Sequence, residues 1–92
     1  ITLDLDDYKV TVADRVIKLT PKEFDLLKVF LQRAGKVLTH AWLLKEVWGV
    51  GYQHEIHYLH VFVNQLRQKI EKDSTRPKRI VTESGVGYRF LG

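Results

Sequence analysis

The sequence predicts a small α+β domain in which an antiparallel sheet comes first, three helices come next and a β-hairpin closes the chain. Three observations carry that prediction. Within residues 2–19, apolar and polar side chains alternate with a period of two, as half-buried strands do. From residue 20 to 71 the apolar spacing changes to steps of three and four, which is helical. The closing "RPKRIVTESGVGYRFLG" reads as a basic turn, a strand, a glycine-bearing turn and a second strand.

At the start, Leu3 and Leu5 alternate with Thr2 and Asp4, and Tyr8, Val10 and Val12 alternate with Lys9 and Thr11. A further run covers Arg15 to Leu19, so two or three strands are expected, with turns at Asp6-Asp7 and Ala13-Asp14. The acidic residues Asp4, Asp6, Asp7 and Asp14 lack the spacing of a calcium loop and read as solvated turns. The first helix has a hydroxyl N-cap at Thr20, a proline at the first helical position and Glu23 to complete a capping box. Phe24, Leu27, Phe30, Leu31 and Ala34 form its apolar stripe, and Gly35 is suited to close it. After an extended link at residues 36–38, Thr39 caps a short second helix with Leu43, Leu44 and Val47 facing inward and Trp48 closing it. The segment "GVGYQHE" from Gly49 to Glu55 has no periodicity and reads as a surface loop, either a connector or a partner-binding loop.

The third helix, Ile56 to Glu71, carries the functional signal. Ile56, Leu59, Val63, Leu66 and Ile70 share one face, which is expected to pack on the other helices. The opposite face presents His57, His60, Val61, Asn64, Gln65 and Gln68, with no carboxylate among them. Ordinary solvated faces mix glutamate with lysine, whereas base edges pair with amides and imidazoles and a thymine methyl accepts a small apolar group. At ~1.5 Å per residue the helix can lie in a major groove, with Arg67 and Lys69 expected at backbone phosphates. In the closing hairpin, Arg76, Lys78 and Arg79 crowd the base, Ser84, Gly85 and Gly87 form the turn, and Tyr88 and Phe90 alternate with Arg89. Such a hairpin can lie along the sugar-phosphate backbone, with Arg79 among the phosphate-neutralising groups, or enter a minor groove. Tyr88 and Phe90 are expected to anchor it on the core.

Composition bounds the alternatives. Ninety-two residues with 45% hydrophobic content support one domain, residues 1–92, with a modest core. There is no cysteine, so neither disulfides nor thiolate zinc sites are available, and a reducing, cytoplasmic setting is expected. Apolar runs fall far short of a membrane span, and no membrane partner is expected. Methionine is absent even at position 1, which suggests an excised fragment of a longer protein. The formal charge of +4 suits a polyanionic partner.

The order of elements, with "LTPKEFDLL", "GKVLTHAWLLKEVWG", "LRQKIEKD" and "GVGYRF", resembles the effector domain of OmpR/PhoB-type bacterial response regulators over essentially the whole chain. The resemblance implies a winged helix-turn-helix with a four-stranded N-terminal sheet. It also implies double-stranded promoter DNA as target, head-to-tail homodimers on direct repeats, and an upstream receiver domain missing here. Carried over by position, it implies phosphate contacts from His40, Trp48, His57, Arg67 and Thr82, and base contacts from His60, Val61, Asn64 and Gln65. The loop of Gly49, Val50, Gly51, Tyr52, Gln53 and His54 resembles the segment that meets RNA polymerase in some members. Two departures stand out. Ser84, beside Gly85 at the wing tip, replaces an arginine that enters the minor groove in several members, and His40 and His57 stand where arginine is frequent. Within the family, "HYLHVFVNQLRQKIE" with "RPKRIVTESGVGYRF" is similar to regulators of the Kdp potassium-uptake system.

Other functional classes fare worse. A zinc site from His54, His57 and His60 lacks a fourth ligand beyond Glu55, so no metal or cofactor is expected. No phosphate-cradling glycine loop, nucleophile elbow or carboxylate pair occurs, so no catalytic residue is assigned. Double-stranded RNA is disfavoured because its narrow major groove does not admit a helix. The remaining alternative is a winged-helix module that binds only protein.

Overall fold

A computed structural model describes residues 1–92. Its elements occur in the expected order. The N-terminal sheet consists of β1 (Thr2–Asp4), β2 (Lys9–Val12) and β3 (Arg15–Lys18), antiparallel in that spatial order. It has three strands, not the four that the family resemblance implies. Both expected turns are present. Asp4 Oδ1 accepts the amides of Asp6 and Asp7 in the first. The second is a two-residue hairpin in which Ala13 and Asp14 take φ of 48° and 66°, the left-handed pair that matches strand twist.

Helix α1 (Pro21–Gln32) starts as its sequence dictates. Thr20 Oγ1 accepts the Glu23 amide while Glu23 Oε1 accepts the Thr20 amide, closing a capping box. The helix ends at Gln32, and Ala34 lies exposed beyond the stripe assigned to it. The extended link after α1 is itself a strand. β4 (Val37–Thr39) pairs antiparallel with β6 (Gly87–Phe90), which pairs in turn with β5 (Ile80–Glu83), giving a second three-stranded sheet in the order β4-β6-β5. The hairpin therefore does not stand alone. Gly87, expected in the turn, lies within β6, where a Cβ would overlap the Leu38 carbonyl of β4. Only glycine allows that approach.

Thr39 ends β4 and at once caps α2 (His40–Trp48), its Oγ1 accepting the Trp42 amide. α3 (Ile56–Ile70) comes after the loop. Eighteen buried apolar side chains from both sheets and all three helices form one core. Phe30 of α1 stacks on Phe90 of β6 at 6.2 Å, so the hairpin aromatics do anchor on the core. One inward assignment fails: Ile56 is 42% exposed, because α3 begins at that residue and its first turn projects past the packed face.

Candidate nucleic-acid interface

α3 divides its side chains sharply. Leu59, Val63, Leu66 and Ile70 are buried, while His57, His60, Val61, Asn64, Gln65 and Gln68 are all exposed. No carboxylate lies anywhere along the helix. The outward set thus forms one continuous ridge of donors, acceptors and a single isopropyl group.

Three elements meet beside this ridge. The His40 ring, at the start of α2, lies edge-on to His60 of α3 at 5.6 Å and to Tyr88 of β6 at 5.8 Å. His40 N–H donates to the Val86 carbonyl near the wing tip, which holds the N-terminus of α2 against the wing. Burial, and secondarily the His60 charge, pulls the His40 imidazole below its ordinary value near 6.5. Thr82 is exposed on β5, its Oγ1 accepting from Arg67 Nη2 at 3.0 Å while its own proton is free to point outward. The turn at Ser84 and Gly85 is exposed, with Gly85 at φ 73°. Arg89 and Glu83 brace the wing strands, their charges 2.9 Å apart without the alignment of a hydrogen bond.

Two arginines and a lysine sit differently from expectation. Arg67 is only 9% exposed: Nε and Nη2 donate to the Ile80 carbonyl, Nη2 also donates to Thr82, and the guanidinium lies over the Tyr88 ring at 5.4 Å. Arg67 therefore has a structural role in the free domain, made through Nε and Nη2. Lys69 turns to Glu23 of α1 at 2.5 Å, also away from the ridge. Arg79 lies at the far end of β5, its Nη1 donating to the Gly92 carbonyl, in a basic cleft with Lys72, Arg76 and Lys78 beyond the C-terminus of α3. The length of β5 separates it from the wing tip.

Buried acids were the main omission of sequence reasoning. Glu23 is 1% exposed; burial alone would raise its pKa, but the Lys69 ammonium and the Thr20 amide and hydroxyl outweigh that and lower it. Glu71 is likewise buried and accepts the amides of Lys78, Arg79 and Ile80 at 2.8–3.1 Å. A lone glutamate directly after an acid-free helix was the available signal. Sequence reasoning also missed an aromatic cluster at the other end of α3. Trp48 packs on Tyr58 and Phe62 at 5.9 and 5.0 Å, and Tyr52 of the loop stacks on Tyr58 at 6.5 Å. Half-buried Trp48 is thus a wall of this cluster as well as a candidate contact.

The family model described as "Transcriptional regulatory protein, C terminal" matches residues 14–90. The chain belongs to this family. It is 45% identical over 91 residues to the KDP operon transcriptional regulatory protein KdpE of Escherichia coli K12, covering 99% of this chain and 40% of that protein. It is 46% identical over 89 residues to KdpE of Mycobacterium tuberculosis, covering 97% of this chain and 39% of that relative. The chain thus spans about two fifths of the length of these curated relatives. Among solved structures, the RstA DNA-binding domain of Klebsiella pneumoniae in complex with the RstA box superposes with a TM-score of 0.85 at 29% identity, covering 97% of this chain and 88% of that one. DrrB of Thermotoga maritima, an OmpR/PhoB homologue, gives 0.83 at 34% identity, covering 98% and 41%. The chain is an OmpR/PhoB-type effector domain, and its family and winged-helix fold are those of a DNA-binding transcription regulator domain, not of an enzyme. No helix is long and apolar enough to cross a membrane.

Proposed function

We propose that this domain reads double-stranded promoter DNA sequence-specifically as the output module of a cytoplasmic two-component regulator. The observation that carries the proposal is the exposed, carboxylate-free ridge of α3, flanked by the N-terminus of α2 and by the wing. In this reading α3 enters the major groove. Asn64 and Gln65 offer carboxamides that pair with adenine edges, His60 offers an imidazole, and Val61 meets a thymine methyl. His40, His57, the Trp48 indole N–H and the Thr82 hydroxyl contact phosphates, and the Ser84–Gly85 tip tracks the backbone. Neutral donors dominate this set.

Selection of bound sequences from a random duplex pool, with titration of the winning site, tests the proposal. A preferred site is expected, with log K falling by about 0.9 per log salt for each phosphate neutralised. Equal affinity for selected and random duplexes would overturn it.

Further partners rest on the relatives and on the surface. The two KdpE relatives support potassium-transport genes as targets, tested by binding to the promoter of a potassium-uptake operon in the source genome. Their greater length supports an upstream receiver domain in the full protein. The loop carrying Val50, 80% exposed, and Tyr52 beside the aromatic cluster has the apolar character of a polymerase-facing surface. Homodimers on direct repeats are expected to appear as two spaced half-sites in the selected sequences.

A further inference from the structure

Between the end of α3 and the start of β5 the chain runs through residues 71–79 with neither helix nor strand. That segment alone does not set the angle at which the wing leaves the helix. Pairing with β4 and the buried Ile80, Tyr88 and Phe90 seat the hairpin on the core, and two side chains of α3's last turn and C-cap, four residues apart and hence on one face, add a direct tie from the helix to β5. Arg67 donates twice to the Ile80 carbonyl, at 3.1 and 2.8 Å. Glu71 accepts the Ile80 amide at 2.8 Å and the two preceding amides as well. Both backbone polar groups of one β5 residue are therefore held by the helix. Arg67 then reaches across the sheet, to the Thr82 hydroxyl on β5 and over the Tyr88 ring on β6. Each charge is buried; Arg67 is satisfied by β5, and Glu71 by Ile80 and the two residues before it.

We propose that Arg67 and Glu71 are positioning residues that clamp Ile80 and lock the reading helix and wing into one rigid body, so that both meet the duplex in register. The role in DNA recognition rests on the function proposed above, whereas the clamp itself is a property of the free domain. A guanidinium fork suits this task because it grips one carbonyl with two donors and reaches a hydroxyl besides, and a carboxylate because it accepts three amides, each in fixed directions. Without the clamp the wing stays on the core through β4 but its angle to α3 is held less tightly, and fixing that angle at the moment of binding appears as lost affinity.

The test uses the wild-type domain, Glu71→Gln and Arg67→Lys, first without DNA. Residual dipolar couplings of α3 and of β5–β6 are expected to fit one alignment tensor in the wild type and two in each variant. Should a variant not fold, amide exchange of wild-type Ile80 decides: exchange only through global unfolding supports the clamp, and faster local opening overturns it. A single shared tensor in both folded variants also overturns it. Hydroxyl-radical footprints on the selected duplex then test the role in recognition. The variants are expected to lose protection at the wing flank while keeping protection under α3, with affinity down about tenfold, or about 1.4 kcal/mol. Arg67→Lys with full wing protection and a changed salt slope would instead make Arg67 a phosphate contact and overturn the positioning role. Failure of the wild type to bind any duplex would sink the function proposed above, with the tensors still deciding the clamp.

Discussion

The two ends of α3 obey opposite rules. From His57 to Gln65 the outward side chains are exposed, with His60 resting against His40 and Tyr88, whereas Arg67, Lys69 and Glu71 are engaged by contacts to β5, α1 and the segment that leads to β5. Polarity alone does not distinguish them. Arginine and lysine at the C-terminal end look like phosphate contacts in sequence, and in the free domain they also fasten α3 to β5 and to α1. The amides and imidazoles of the N-terminal part form the open surface, as their carboxylate-free spacing suggested. In a basic domain of this size, a cation near an unpaired buried carbonyl or carboxylate is drawn inward, because leaving either partner unsatisfied costs more than losing a surface contact.

Adjacent residues give the sharpest way to break this contrast. Leu66 is fully buried, so Leu66→Ala should destabilise by about 2–5 kcal/mol in urea unfolding, through lost transfer energy and a cavity. Next in size, Glu23→Ala removes the capping box and strands Lys69. A loss of about 1–3 kcal/mol is expected, and a loss below about 0.5 would show that the tie between α1 and α3 contributes little. Because the folded Glu23 pKa is lowered, its contribution is present above the ordinary carboxylate range and lost as pH falls through the folded value; Glu23→Gln should flatten that acid limb. Gln65→Ala, one residue before Leu66, should leave stability within about 0.5 kcal/mol while costing about 1–3 kcal/mol on the selected DNA site. Matching losses in both assays would erase the distinction between the two surfaces.

His40 sharpens the comparison from the side of α2. Its folded pKa is depressed, so the unfolded chain takes up a proton first and the free domain should lose stability as pH falls below about 6.5. Phosphates favour the charged imidazole, so DNA affinity should rise over the same interval. Opposite slopes are expected in the wild type, and His40→Gln should weaken both. The smallest expected effect lies far from α3. Replacing Ala13-Asp14 by Asn-Gly relieves two left-handed residues and should stabilise by about 1 kcal/mol with DNA binding unchanged, as read by thermal unfolding and titration.

Local rules account for the features that were legible in the sequence. The Thr20–Glu23 capping box, the Thr39 cap, the Ala13-Asp14 turn and the outward ridge of α3 each arise from spacing over a few residues. Apart from Ile56 and Ala34, which lie at helix ends, the failures come from long-range pairing. β4 is three residues long and becomes a strand only because β6 lies alongside it, and Gly87 looks like turn punctuation until the Leu38 carbonyl is seen above it. The inward turn of Arg67 and the capture of three amides by Glu71 likewise depend on where residues 78–82 arrive. The family resemblance supplied the winged-helix fold, with one N-terminal strand too many, and named Arg67 only for phosphate, since position does not reveal what else a guanidinium holds within its own fold.

The junction at Thr39, where β4 stops and α2 starts with no residue between them, leaves the chain no slack. One inserted residue there would turn α2 by about a quarter revolution or flip the strand's alternation, and either would swing His40 off its neighbours. The stretch from Gly49 to Glu55 has no such constraint. Variants of this fold should therefore differ in length before α3 and stay invariant in length before α2, so new partner specificities can be grown on one side of the helix pair without disturbing the other.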